Sequence, residues 1–137
     1  MSELVVDASV ALAWCFPDEA SAYADRVLVA LKGQTLVVPA VWGLEVANAL
    51  VVGERRKRLK QPEILRFVAL LEGLAILQDG GEATEALHNV LPLARHYGLS
   101  AYDAAYLELA IRYGAPLATL DGDLRKAARR AGIRVLS

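Results

Sequence analysis

The chain has 137 residues, with 15 Lys and Arg against 16 Asp and Glu and a single Cys, so its formal net charge is −1. That length fits one domain, residues 1–137. The lone Cys excludes a disulfide framework and a Cys-based zinc site, and the near-zero net charge gives no global signal for nucleic acid. The apolar share, 55%, exceeds the usual ~45–50%. It does not form a membrane span: the longest uncharged run, Gly33 to Leu44, has 12 residues with Pro39 inside it, against about 20 needed. The start, Met1-Ser2-Glu3, lacks the basic region of a secretory leader. A cytoplasmic protein with no membrane partner is expected.

Leu4-Val5-Val6 predicts a short buried strand ended by Asp7. Ala8 to Phe16 predicts a helix stopped by Pro17, and Asp18-Glu19 opens a second helix running to about Leu31. Thr35 to Val38, β-branched and closed by Pro39, predicts the second strand. Trp42 to Val52 and Pro62 to about Leu71 predict helices, the latter ended near Gly73. Leu74 to Leu77 predicts the third strand. Glu82 to Tyr97 predicts a helix kinked at Pro92, and Ser100 to Tyr113 a helix ended by Gly114. Pro116 to Leu120 predicts the fourth strand, Asp123 to Ala131 a helix, and Ile133 to Leu136 the fifth strand. Strands alternate with helices along the chain. This implies a parallel sheet with both faces covered, and ligands on such sheets bind beyond the carboxyl ends of the strands.

The acids at those ends are the candidates for chemistry. Asp7 follows the first strand and Asp121 the fourth, in Thr119-Leu120-Asp121-Gly122-Asp123. Glu45 lies near the start of an otherwise apolar helix, with Asn48 about one turn on, and Asp103 sits inside Ala101-Tyr102-Asp103-Ala104-Ala105-Tyr106. Each acid has a plain reading. Asp7, Asp121 and Asp123 can cap helices or form turns, Ser100 and Asp103 fit a capping box, and Glu45 can face solvent. Together at one rim they repel one another, and they persist if a cation neutralises them. With only oxygen ligands that cation is hard, Mg²⁺ or Mn²⁺, and it suits hydrolysis of a phosphodiester. His88 and His96 fall on a helix away from this rim, and Cys15, between Trp14 and Phe16, reads as buried and inert.

Four stretches resemble the PIN-domain nucleases, and within them the VapC toxins of toxin–antitoxin pairs. They are Val5-Val6-Asp7-Ala8-Ser9, Glu45-x-x-Asn48-Ala49-Leu50, Leu99 to Tyr106, and Leu117 to Leu124. The resemblance implies a three-layer α/β/α sandwich with a five-stranded parallel sheet and a metal-dependent endoribonuclease. It implies that Asp7, Glu45, Asp103 and Asp121 form the acidic metal site, with Asp123 as a further ligand, Ser9 and Thr119 supporting through their hydroxyls, and Asn48 steadying the site or touching substrate. It also implies a homodimer and a cognate antitoxin whose tail fills the active-site groove.

The charge is uneven. Glu54 to Arg66 carries six basic against two acidic residues, and Arg125 to Arg134 carries five basic and no acidic ones. Under the nuclease reading Arg55, Arg56, Lys57, Arg125 and Arg129 become candidate phosphate contacts for RNA. Two rivals stand beside it. An aspartyl-phosphate receiver needs a late Lys after a strand, and none follows the fourth. A non-catalytic PIN-like module binding protein or RNA would not need all four acids.

Overall fold

In the structure, a computed structural model describing residues 2–137, β1 (Glu3–Val6) is the centre of a parallel sheet. Met1, the first residue of the Met1-Ser2-Glu3 start, lies outside the described residues. Leu4, Val5 and Val6 are all buried. Successive strand side chains point to opposite faces, so both faces of β1 are covered. β2 (Thr35–Pro39) pairs on one side of it, with Leu4 opposite Leu36 and Val5 opposite Val37. β3 (Ile76–Asp79) lies outside β2, with Leu36 opposite Ile76. β4 (Leu117–Ala118) pairs on the other side of β1, with Val5 opposite Leu117 and Val6 opposite Ala118. The order is β3-β2-β1-β4, all parallel. The chain thus steps outward in one direction from β1 and then crosses back, and the order reverses between β1 and β4.

Among the described residues the sheet has four strands, not the expected five. The segment Ile133 to Leu136 contributes only an isolated parallel bridge, Leu117 to Val135. Pairing is confined to Leu117, whose N–H donates to the Arg134 carbonyl and whose carbonyl accepts from Leu136 N–H, each at 2.9 Å. The Leu136 carbonyl, which would carry the ladder on, accepts from the Tyr23 hydroxyl at 2.7 Å instead. β3 also starts two residues later than the sequence suggests. The turn after α4 (Gln61–Glu72) continues through Leu74, whose N–H donates to the Leu71 carbonyl at 3.0 Å.

Helices surround the sheet. α1 (Ala8–Ala13) follows β1, and α2 (Ala22–Ala30) leads towards β2. The segment from Asp18 is not one helix. A 3-10 turn at Pro17–Glu19 precedes Ser21, whose side chain caps α2 by accepting from Ala24 N–H at 3.0 Å. α3 (Val41–Arg55) follows β2. Its Gly53 is required by packing, since a Cβ there would stand 2.7 Å from the Phe16 ring. Arg58, beyond α3, stacks on the same ring at 4.4 Å and bonds Asp18 and Glu19. The stretch before Tyr97 is two helices, α5 (Glu85–Asn89) and α6 (Leu91–Tyr97). The break falls at Val90, just ahead of Pro92, which has no N–H to donate and sits in the first turn of α6. α7 (Ala101–Tyr113) packs across β1 and β2, and α8 (Gly122–Arg130) packs against α7. No helix among the described residues is long and apolar enough to cross a membrane.

Candidate active site

The reversal point between β1 and β4 is where a parallel sheet opens a crevice for ligand, and Asp7 sits in it. Its backbone N–H donates to the Ala118 carbonyl at 3.1 Å, so the ends of the two strands are tied together. Its carboxylate caps α1, accepting from Ser9 N–H at 3.0 Å and Val10 N–H at 3.4 Å. The Ser9 hydroxyl also donates to it, and the Thr119 hydroxyl donates to its other oxygen. Asp7 is 4% exposed. Burial pushes its carboxyl above the ordinary value, and the hydrogen bonds from Ser9, Thr119 and Val10 pull the other way.

Thr119 is fully buried and joins the two loops of the crevice, since Asp121 N–H donates to its hydroxyl at 2.9 Å. Asp121 caps α8, accepting from Asp123 N–H at 2.8 Å and Leu124 N–H at 3.2 Å. Asp103 enters from α7. Ser100 caps that helix by accepting from Asp103 N–H at 3.1 Å. The Asp103 carboxyl is pushed up first by burial and then by the charges of Asp121 and Asp7. Capping and clustering are therefore compatible: Asp7 and Asp121 do both.

Glu45, half-buried on α3, is tied to the site through a residue that the sequence pattern alone does not single out. The Tyr106 hydroxyl donates to Glu45 Oε1 at 2.6 Å. Tyr106 is 1% exposed, and its phenol is pushed up by burial, by Glu45, and by the charge of Asp7. The available signal is spacing: Tyr106 lies three residues after Asp103 and shares its helix face. Asn48 and Asp123 are exposed at the margins.

Among the described residues no three His, Cys, Asp or Glu side chains stand as a ready-made metal cage. The oxygens of Asp7 and Glu45 are turned to hydroxyl donors instead. The donor chemistry still fits a hard divalent cation: the site offers carboxylate and hydroxyl oxygens, and no Lys or Arg side chain among the described residues bonds any of the four acids.

The basic candidates are dispersed. Arg55, Arg56 and Lys57 are exposed at the end of α3 and just beyond it, and Arg129 is exposed on α8. Arg125 differs from the expectation for it. Its guanidinium is turned inward, donating to the Thr119 carbonyl at 2.6 Å and lying 5.1 Å from the Tyr23 ring. It holds the β4–α8 turn rather than facing open solvent.

The PIN domain family model matches residues 4–130. The chain belongs to the PIN-domain family. Ribonuclease VapC3 from Pyrobaculum aerophilum is 37% identical to this PIN domain over 123 residues, covering 89% of the chain and 92% of VapC3. That likeness puts the chain among the VapC-type members. Among solved structures, PAE2754 from the same organism superposes with a TM-score of 0.68 at 28% identity, covering 92% of the PIN domain and 79% of PAE2754. The sarcin-ricin-loop-cleaving toxin VapC20 from Mycobacterium tuberculosis superposes with a TM-score of 0.64 at 20% identity, covering 90% and 94% of the two chains, and VapBC2 from Rickettsia felis with 0.64 at 13%, covering 98% and 97%. These last two carry the fold alone.

Proposed function

We propose that this PIN domain is a divalent-metal-dependent endoribonuclease and the toxin of a toxin–antitoxin pair. The observation that carries the reading is the set of acids at the β1/β4 crevice without a cationic partner among the described residues. There Thr119 links Asp7 to the turn of Asp121, and Tyr106 bonds Glu45. The 37% identity to Ribonuclease VapC3 supports RNA as substrate and, through the VapC kinship, a cognate antitoxin.

Asp7, Glu45, Asp103 and Asp121 would hold Mg²⁺ or Mn²⁺, with Asp123 at the rim. Such an ion supplies a water of lowered pKa and shields charge developing on a phosphoryl group. The protein's own groups prepare that place. Ser9 and Thr119 hydroxyls fix Asp7, and Thr119 also fixes the turn carrying Asp121. Tyr106 orients Glu45, and Asn48 lies one turn from Glu45 on the exposed side, within reach of substrate. Cleavage leaves a 5′-phosphate and a 3′-hydroxyl. Arg55, Arg56, Lys57 and Arg129 supply phosphate contacts away from the centre. Exposed apolar side chains on α3 (Leu44, Val51) and α4 (Leu65, Val68, Leu70) offer surface for a twin subunit and the antitoxin.

The test is incubation of wild type and Asp7→Asn with total RNA in Mg²⁺, in Mn²⁺ and in chelator, followed by mapping of fragment ends. New 5′-phosphate ends should appear only with wild type and metal. Cutting that persists in chelator or in Asp7→Asn would overturn the metal site. No cutting in either metal would favour a binding module.

A further inference from the structure

A second feature adjoins the acidic crevice. Between the end of α6 and α8 runs a groove of about 280 Å³, lined by Tyr97, Gly98, Asp123, Lys126, Ala127 and Arg130. Lys126 and Arg130 are four residues apart on α8, so they share one face, and both are exposed. Neither forms a salt bridge among the described residues. The Arg130 guanidinium lies over the Tyr97 ring, 5.3 Å from its centroid, so a base reaching that face does so by displacing Arg130 onto a phosphate. The half-buried ring meets His96 edge-on at 4.6 Å. Gly98 is left-handed, φ 67°, with open space where a Cβ would stand. Asp123 also lines the groove, and its N–H donates to Asp121 in the crevice at 2.8 Å. From Asp123 to Arg130 the helix advances about 10 Å.

A basic track beside a fixed aromatic face, continuous with a cluster of acids, matches the needs of one ligand class. Single-stranded nucleic acid places phosphates on cations and stacks bases on aromatic rings with little regard to sequence. We propose that this groove binds the stretch of single-stranded RNA flanking the scissile bond, with phosphates on Lys126 and Arg130 and a base against Tyr97. The inference rests on the ribonuclease reading and assigns the substrate a path along α8. An acidic protein segment would use the two cations but gain nothing from the ring.

The experiment measures anisotropy of a labelled single-stranded RNA in chelator, where no cutting occurs, across a salt series. Lys126→Ala with Arg130→Ala should weaken binding about 10-fold and lower the slope of log K against log salt by about 0.7 for each phosphate no longer neutralised. Tyr97→Leu should weaken binding about 5-fold or more with the slope unchanged, and Tyr97→Phe should restore it. Arg26→Ala, on α2, removes one equal charge away from the groove and should change little. Melting curves of the same variants confirm that each is folded. Unchanged affinity and slope in the double variant, while wild type binds RNA, would overturn the groove and leave the ribonuclease reading intact. So would equal weakening in Arg26→Ala, or displacement of the RNA by a polyglutamate peptide with Tyr97→Leu indistinguishable from wild type. A wild type that neither binds nor cuts RNA removes both.

Discussion

Two sets of acids stand at the carboxyl ends of the strands, and they are handled in opposite ways. Asp79, the last residue of β3, and Glu108 of α7 share Arg112, whose Nε donates to Glu108 Oε1 at 2.8 Å and whose Nη1 bonds Asp79. The guanidinium is held charged most strongly by Glu108 and then by Asp79. At the β1/β4 crevice no such cation is built in among the described residues. Asp7 and Glu45 are held by hydroxyls, which position a carboxylate without neutralising it. Asp7 and Asp103 are pushed up by burial, and Asp103 also by its acidic neighbours. Asp79 and Glu108 are neutralised in place by the guanidinium they share. Acids fixed by hydroxyls keep a negative site open for a cation from outside.

This contrast can be broken or sharpened by experiment. The largest effect belongs to Asp7→Asn, which should lower RNA cleavage by more than about 100-fold, the reach of outer-shell changes alone at metal sites. Arg112→Ala should cleave at close to the wild-type rate. If both variants became equally inactive, the two acid sets would not be distinct.

Next is the response to metal in melting experiments. At about 100 times its Kd, a bound ion adds about 2.7 kcal/mol, which raises Tm by roughly 10 °C for a chain of this size. Wild type and Arg112→Ala should both show the rise, and Asp7→Asn should lack most of it. Smaller again is the stability cost of Arg112→Ala. Its side chain is 48% exposed, so screening limits the cost to about 1 kcal/mol, read as a Tm lowered by a few degrees in chelator.

The smallest effect is Asp103→Asn in chelator. The folded carboxyl titrates above its ordinary value of 3.8, chiefly through burial. Its contribution to stability is therefore fully present in acid below that value and is lost as pH rises through the folded pKa. At neutral pH the amide removes this penalty, so Tm should equal wild type or exceed it by roughly 1–2 °C, with a flatter pH profile above pH ~4. A large drop in Tm would mean that Asp103 serves as half of a capping box.

Most of this arrangement is legible in the chain. Short apolar runs closed by Asp7 and Pro39 mark β1 and β2, and the alternation with helices points to the parallel sheet. Acids placed just after strands mark the crevice, because a strand end fixes where the next side chain can be. What is not legible depends on partners distant in sequence. Ile133 to Leu136 forms a single bridge, and its Leu136 carbonyl bonds the hydroxyl of Tyr23, 113 positions away. Arg125 belongs to a basic run, yet the Thr119 carbonyl and the Tyr23 ring draw it inward. Tyr106 reads as a core aromatic, and it becomes a site residue only because Glu45 approaches from 61 positions away. Nor does the sequence tell apart Trp42, Tyr102 and Tyr97: the first is buried and the second exposed, while Tyr97 lies against a basic groove.

The central claim is that the crevice acids, which lack a cationic partner among the described residues, and not the guanidinium-paired ones, are the seat of metal binding. Calorimetric titration of Mn²⁺ into wild type, Asp7→Asn, Asp103→Asn and Arg112→Ala tests it most directly. Saturable binding should be present in wild type and Arg112→Ala and abolished or strongly weakened in both acid variants. Binding that survives in Asp7→Asn and Asp103→Asn, or disappears in a folded Arg112→Ala, would contradict it.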